Sequence, residues 1–317
     1  MIHSISRNED SPCVFRGINQ DKLTIVWEIT ARCNLKCGYC FRTDPRLPEL
    51  RLNQVENIVE QFSAERVGKV LLTGGEPILY PNVGQIIDRI ISKGILVKIV
   101  SNLSFSHRWI EVLIDKKGIE ISTSLDGYDA KTHDQIRGRD SYKRVSENIL
   151  ILRRNGFDVS GICVVTTQVL PFIETMVQNA VDLGLSTITF TRLIDIKAEG
   201  SQNISEVVAK LELTNDDELR VIESLELLRE KYWSINIRSV GFTVTPECCS
   251  KAGKGIVYIN PYGIVQPCTL LRFINKNIDL KLCSLEDALS EVKFIKGETC
   301  ESYCRSLPVS KTGVSYE

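Results

Sequence analysis

From about residue 23 to residue 195, short β-branched runs alternate with longer amphipathic ones, and this alternation limits the fold more than any other feature. "KLTIVWEIT" (Lys22 to Thr30) reads as a strand, and the following "NQVENIVEQF" sets Val55, Ile58, Val59 and Phe62 at helical spacing. "KVLLTGGEP" (Lys69 to Pro77) is a second strand, ended by glycines and proline, and "VGQIIDRIIS" the next helix. "ILVKIVSN", "IEISTSLDG", "VSGICVVTT" and "STITFTRLI" follow, each separated by a helix-like segment, for six strands in all. The pattern predicts parallel βα units. Six units are too few for a closed eight-fold barrel, so the expected α/β fold is an open, partial (β/α)6 TIM-like barrel. "IKAEGSQNIS" (Ile196 to Ser205) reads as a surface loop, with one long helix after it from about Val207 to Lys231. From about Ile235 the alternation stops, and short strands, turns and cysteines take over. The expected division is an N-terminal extension (1–22), the barrel (23–234) and a small cysteine-rich domain (235–317).

Composition narrows the function. Apolar residues make up 43% of the 317, enough for a sizeable core, and the net charge of −1 argues against a broad nucleic-acid or membrane surface. No apolar run approaches the ~18 residues of a membrane span. The polar start "MIHSISRNED" is no signal peptide, so the expected location is the cytoplasm. In that reducing setting the 11 cysteines do not read as a disulfide framework. They cluster instead: Cys33, Cys37 and Cys40 within "CNLKCGYC", and Cys248, Cys249, Cys268, Cys283, Cys300 and Cys304 toward the end, with Cys13 and Cys163 apart. Clustered thiols in a reducing compartment read as metal ligands.

Structural zinc wants four closed ligands, yet the chain has three histidines and none lies in the first cysteine loop. An iron–sulfur cube wants one ligand on each of its four irons, so three thiolates leave one iron for a non-protein ligand. The loop follows the first strand, at the carboxyl end of the sheet, where α/β folds place their chemistry.

These residues carry a resemblance. C-x3-C-x2-C after the first strand, followed by the aromatic Phe41, resembles the radical S-adenosylmethionine (SAM) superfamily, and "GGEP" (Gly74 to Pro77) ending the second strand resembles its methionine-amino-binding motif. The resemblance covers about residues 20 to 200. It implies a [4Fe-4S] cluster on Cys33, Cys37 and Cys40 whose open iron chelates the amino and carboxylate groups of SAM. It implies that Gly74, Gly75 and Glu76, next to Pro77, meet the ammonium group, and that Phe41 lies near adenine. Asn102, Ser122, Ser124 and Arg137 would offer polar groups to ribose and carboxylate, against the alternative that each caps a strand or turn. Asp126 of "SLDG" fixes a turn.

The C-terminal cysteines resemble the auxiliary-cluster domains of the same superfamily, the full form called SPASM and the shortened form twitch. Cys249, Gly263 and Cys268 give C-x13-G-x4-C, and only C-x3-C follows, at Cys300 and Cys304. The resemblance implies one auxiliary [4Fe-4S] cluster on Cys249, Cys268, Cys300 and Cys304, in the manner of twitch. Cys248 fits as well as Cys249, and Cys283 could replace either terminal cysteine. Whichever of Cys248 and Cys249 is unligated is either a small buried hydrophobe or a hydrogen-atom donor to a substrate radical. Cys163 reads as core.

Two charges interrupt strands that should be almost wholly apolar if covered on both faces, Glu28 in "IVWEIT" and Arg192 in "TFTRLI". Either they face substrate, with Asp195 nearby, or they form an internal ion pair, Glu28 with Arg192. The implied activity is reductive cleavage of SAM to a 5′-deoxyadenosyl radical, which takes hydrogen from an unactivated C–H bond, with oxidation or epimerisation as the outcome. The substrate would be a sugar- or aminoglycoside-like small molecule or a peptide, the latter through cross-linking or epimerisation. A flavodoxin- or ferredoxin-type protein would supply electrons. Only about 22 residues precede the first strand, which leaves no room for a leader-binding domain and favours a small molecule or a peptide delivered otherwise. The ending "GVSYE" lacks the glycine pair of the molybdenum-cofactor cyclase. The rivals from other classes are a non-catalytic iron–sulfur electron carrier, which has no need of "GGEP", and a zinc-stabilised binding module.

Overall fold

Every one of the six predicted strands forms in the computed structural model, which describes residues 22–40, 48–116, 118–193, 204–242, 255–269 and 278–292. They are β1 (Leu23–Thr30), β2 (Val67–Gly74), β3 (Leu96–Ser101), β4 (Ile119–Ser124), β5 (Val159–Val165) and β6 (Thr187–Arg192), each hydrogen-bonded in parallel to the next. The connections carry α1 (Leu52–Glu60), α2 (Val83–Ser92), the short α3 (Glu111–Ile114), α4 (Ala130–Arg137), α5 (Ser141–Arg154) and α6 (Ile173–Asp182). This is the predicted partial barrel.

The parallel array does not stop at β6. Beyond α7 (Ile204–Leu211) and α8 (Asn215–Lys231), β7 (Asn236–Val240) pairs in parallel with β6, and β8 (Ile256–Ile259) pairs in parallel with the other flank, β1. Strand β9 (Val265–Gln266) turns back antiparallel on β8, and α9 (Leu285–Glu291) follows. Among the described residues the sheet order is β7-β6-β5-β4-β3-β2-β1-β8-β9. The boundary expected at residue 235 therefore does not coincide with an edge of the sheet.

The long helix expected from Val207 to Lys231 is two helices. Thr214 interrupts it as an N-cap: its hydroxyl accepts from the Asp217 amide at 3.2 Å, and the Asp217 carboxylate accepts from the Thr214 amide at 3.1 Å. This reciprocal box satisfies amide donors that a helix start otherwise leaves unpaired, so a new helix begins inside one apolar pattern.

The strands largely alternate, which the expectation of apolar residues on both faces did not foresee, although Val26, Leu71, Ile256 and Tyr258 form a smaller apolar cluster on the other face. Ile25, Trp27, Ile29, Val70, Leu72, Val97, Ile99, Ile121, Val159, Ile188 and Phe190 form one core with the buried faces of α1, α2, α5, α6 and α8. Cys163 is buried in the same core, as expected of a small apolar side chain. The opposite face, toward the barrel interior, is largely polar. Its residues include Thr24, Glu28 and Thr30 of β1, Lys69 and Thr73 of β2, Lys98 of β3, and Glu120, Ser122 and Ser124 of β4. Lys69 Nζ holds both carboxylate oxygens of Glu120, at 2.8 and 2.9 Å. A two-residue period with one apolar face is what a sheet covered by helices on one side only requires. No helix among the described residues is long and apolar enough to cross a membrane.

Candidate active site

The first cysteine loop leaves the carboxyl end of β1 with a simple burial pattern. Leu35 and Tyr39 are buried anchors, while Cys33, Cys37 and Cys40 are each half-buried. Tyr39 packs with Ile136 of α4 and Val208 of α7, and the Gly38 amide donates to the Ile136 carbonyl at 3.1 Å. Sequence spacing found the thiols; what places them is this pair of apolar anchors.

Two further restraints fix the start of the loop. The end of β2 docks onto it: the Gly75 amide donates to the Thr30 carbonyl and the Glu76 amide to the Arg32 carbonyl, both at 2.7 Å. A Cβ on Gly74 would lie 2.3 Å from the Thr30 oxygen, and one on Gly75 2.2 Å from the Arg32 oxygen, so both must be glycine. The glycines of "GGEP" thus serve a close approach between two backbones. From the other side Glu49, which the sequence reading missed, accepts from the Thr30 hydroxyl at 2.6 Å and the Ala31 amide at 2.7 Å, and it pairs with Arg32 at 3.2 Å. A lone glutamate beyond the cysteines carries no sequence signal for this task.

The Glu76 side chain points inward. It is wholly buried and accepts from Ser101 Oγ at 2.8 Å, the Asn102 amide at 2.8 Å and the Ile78 amide at 3.3 Å. Burial pushes its carboxyl up to about 7, against the pull of the three donors. Pro77 is buried and opens the one-turn 3₁₀ helix Pro77–Leu79. Asn102 reaches the first thiol, its Nδ2 lying 3.7 Å from Cys33 Sγ and 3.0 Å from Asn34 Oδ1.

Arg137 reaches the second thiol. At the end of α4 it pairs with Asp126 and points Nη1 at Cys37 Sγ, 3.9 Å away. Asp126 is fully buried and also accepts from the Val164 amide at 2.8 Å, so it ties β5 to the cysteine loop through Arg137 rather than only fixing its own turn. Burial drives the Cys37 thiol up to about 11; Arg137 pulls it down, while Cys40, Asp126 and Cys33 push further upward. Tyr39, buried beside Asp126 and Arg137, is held well above its ordinary value by burial and then by Asp126. Ser122 Oγ lies 2.6 Å from Ser160 Oγ, an exchange between neighbouring strands, and Ser124 lies half-buried at the end of β4.

Glu28 and Arg192 do not meet. Glu28 is buried on the interior face and accepts from Tyr258 of β8. Arg192 shares the helix-facing side with Ile188 and Phe190, and its Nε lies 2.8 Å from Glu218 Oε1 of α8. The expected pair of Glu28 with Arg192 is replaced by two separate partners, because strand alternation sends the two side chains to opposite faces. Burial raises the Glu218 carboxyl and Arg192 opposes it.

Cys268 follows β9, two residues past Gln266, on the same side of the sheet as β1. Cys283 precedes α9 and donates to the Asp279 carbonyl at 3.3 Å. Phe41, Cys248, Cys249, Asp195, Cys300 and Cys304 lie outside the described residues.

The donor set fits a multi-iron group better than a single ion. Three half-buried thiols lie at the carboxyl end of β1, close enough for Cys33 and Cys40 to perturb Cys37. Thiolate sulfur is the ligand by which proteins hold iron–sulfur groups, one to each iron.

Comparison with known proteins agrees. Residues 27–183 match the profile of the Radical SAM superfamily. The antilisterial bacteriocin subtilosin biosynthesis protein AlbA of Bacillus subtilis (strain 168) is 25% identical over 254 residues, covering 78% of this chain and 55% of its own. The AdoMet-dependent heme synthase of Methanosarcina barkeri (strain Fusaro / DSM 804) is 24% identical over 277 residues, 80% of this chain and 78% of its own. The crystal structure of Streptococcus suis SuiB bound to precursor peptide SuiA superimposes with a TM-score of 0.72 at 18% identity, covering 88% of this chain and 67% of that one. The chain thus spans little more than half the length of AlbA. With its cysteine loop, glycine docking and partial barrel in place, this chain belongs to the radical SAM superfamily.

Proposed function

We propose that the chain is a radical SAM enzyme acting on a peptide, with Cys33, Cys37 and Cys40 as ligands of a [4Fe-4S] cluster that binds SAM. The observation that carries the reading is the half-buried thiol triad locked by Glu49 on one side and by Gly74–Gly75 on the other. Such a group, when bound with SAM, supplies a 5′-deoxyadenosyl radical for hydrogen abstraction. This chain's residues then have assignable tasks. Asn102 and Arg137 address Cys33 and Cys37 with N–H groups, which supports thiolate ligands. Glu76 keeps its side chain in the core and leaves the glycine backbone as the ligand-facing part of its motif. Ser122 and Ser124 line the interior face, where ribose and carboxylate would lie.

The peptide is favoured by two comparisons: AlbA is named for biosynthesis of a bacteriocin, and SuiB is seen with a precursor peptide. The resemblance to a heme synthase supports the second reading, a small-molecule substrate. An auxiliary cluster on Cys268 with Cys249, Cys300 and Cys304 is part of the proposal, as is Cys248 or Cys249 as hydrogen-atom donor. The net reaction would then be an oxidation, a cross-link or an epimerisation.

Iron and sulfide analysis with EPR on anaerobically reconstituted protein tests this reading. About eight irons per chain are expected for two cubes, with one reduced signal shifted by SAM. Replacing Cys33, Cys37 and Cys40 together by alanine should remove about four irons and abolish SAM cleavage. Cleavage surviving in that variant would refute the assignment.

A further inference from the structure

Two of the three thiols differ in what addresses them. Cys33 Sγ accepts from the Leu35 amide at 3.4 Å and lies 3.7 Å from Asn102 Nδ2, and both of these donors are neutral. Cys37 Sγ instead faces a cation, with Arg137 Nη1 3.9 Å away. The guanidinium works as a fork. Its Nε donates to one oxygen of Asp126, and the other oxygen of that carboxylate accepts from the Val164 amide at 2.8 Å. One edge of the fork is thereby fixed on a carboxylate, and Nη1 is left aimed at sulfur.

Arg137 has little freedom to leave this position. It is the last residue of α4, and the helix is fastened on two sides. The Gly38 amide of the cysteine loop donates to the Ile136 carbonyl at 3.1 Å, one residue before Arg137. On the other side the Asp126 amide donates to His133 Nδ1 at 3.2 Å, and a Cβ on Gly127 would lie 2.2 Å from the His133 backbone nitrogen. The turn after β4 and the helix therefore touch backbone to backbone, and a side chain at Gly127 would push them apart. Water is largely kept from the pair: the Arg137 side chain is 14% exposed and that of Asp126 0%. A charge held still where water is scarce acts on its neighbours more strongly than one in solvent.

We propose that Arg137 sets the reduction potential of the group held by Cys33, Cys37 and Cys40, raising it through its charge beside Cys37, and that Asp126 aims the guanidinium and restrains its effect. The inference rests on the functional reading above, in which that group accepts one electron before SAM is cleaved. Reduction adds one electron, and so one negative charge, to the group; no bond forms or breaks. Net charge, hydrogen bonds to the sulfurs and solvent exposure set the potential of such a group. A cation at Cys37 favours the reduced form, and the buried carboxylate behind it favours the oxidised one. This task differs from the polar contact to ribose and carboxylate that the family resemblance implies for Arg137.

The test uses the reconstituted full chain and the variants Arg137→Gln, Arg137→Lys and Asp126→Asn. Each is titrated with dithionite in the presence of redox mediators and followed by EPR. The signal read is the one lost when Cys33, Cys37 and Cys40 are replaced by alanine. In Arg137→Gln the ratio of reduced to oxidised group at a fixed potential should fall about tenfold, a shift of about 59 mV for one electron. Arg137→Lys keeps the charge without the fork and should recover part of that fall. Asp126→Asn removes the opposing charge and should move the ratio the other way. A pair that only braces the fold would not give shifts of opposite sign from its two members. An unchanged ratio in Arg137→Gln at full iron content overturns the proposal, as does Arg137→Lys behaving like Arg137→Gln. A shift of Asp126→Asn in the same direction as Arg137→Gln overturns the restraining role of Asp126. Where Asp126→Asn fails to load iron, the comparison of Gln with Lys at position 137 decides alone. A wild type with no signal that depends on the three cysteines refutes the functional reading, whereas a cysteine-dependent signal unmoved by Arg137→Gln refutes this proposal only.

Discussion

Glu76 shows how a motif residue can serve the interior of the fold. Its carboxyl sits in the core with three donors around it, and burial still outweighs them, leaving it near 7 where an ordinary glutamate stands at 4.5. The native state therefore keeps a proton through a range in which the unfolded chain has released it. Stability is full below about pH 4.5, falls as the pH rises toward 7 and levels off above that. At 1.36 kcal/mol per unit, the loss relative to Glu76→Gln is about 3 kcal/mol across that window. Urea unfolding of both proteins from pH 5 to pH 8 measures it. Other titrating groups, such as His133 with burial pushing it to about 4, are common to both and cancel. A difference that does not vary with pH would mean that the three donors balance burial, and one that grows with pH that they outweigh it.

At the scale of elements, the cysteine loop is held at its root. Strand β1 delivers it, Gly74 and Gly75 press the end of β2 onto it, and Glu49 grips Thr30, Ala31 and Arg32 from the far side. Glu49→Ala should cost about 2 kcal/mol in chemical unfolding, the scale of hydrogen bonds to a charged group. It should also lower iron retention after desalting, while Glu49→Gln, which keeps an acceptor oxygen, should restore most of it. Equal iron retention in Glu49→Ala and the wild type would show that the glycines suffice. The six strands, the two motifs and the core position of Cys163 were legible because period and spacing are local signals. Glu49, Tyr39 and the Asp126–Arg137 link were not, because each acts between segments that only the fold brings together. The face of Arg192 was misjudged for a related reason: alternation was readable along the strand, but which face the helices cover was not. The start of α8 was missed although Thr214 and Asp217 carried its signal, because the apolar pattern ran on through it.

At the scale of the molecule, the C-terminal part is built into the sheet. Residues after 234 supply β7 to the free side of β6 and β8 to the free side of β1, the strand that bears the cysteine loop. A chain cut after residue 234 would bare the edge of β1, with Val26 and Leu71 losing their partners Ile256 and Tyr258. Unpaired parallel edges of this kind invite association between chains. The truncated protein should elute as aggregate in size-exclusion chromatography and bind little iron; a monodisperse, iron-binding fragment would show that the six-stranded array is self-sufficient.

The alternation of the strands has a further consequence for how such a molecule can change. The packing against helices is done by one set of side chains, and the barrel interior is furnished by the other. Replacements among Thr73, Ser122, Ser124, Ser160 and Thr189 alter what the interior presents without opening a cavity in the apolar core. What the interior presents and how the core packs are thereby written on different faces of the same strands, so one can be altered while the other is kept.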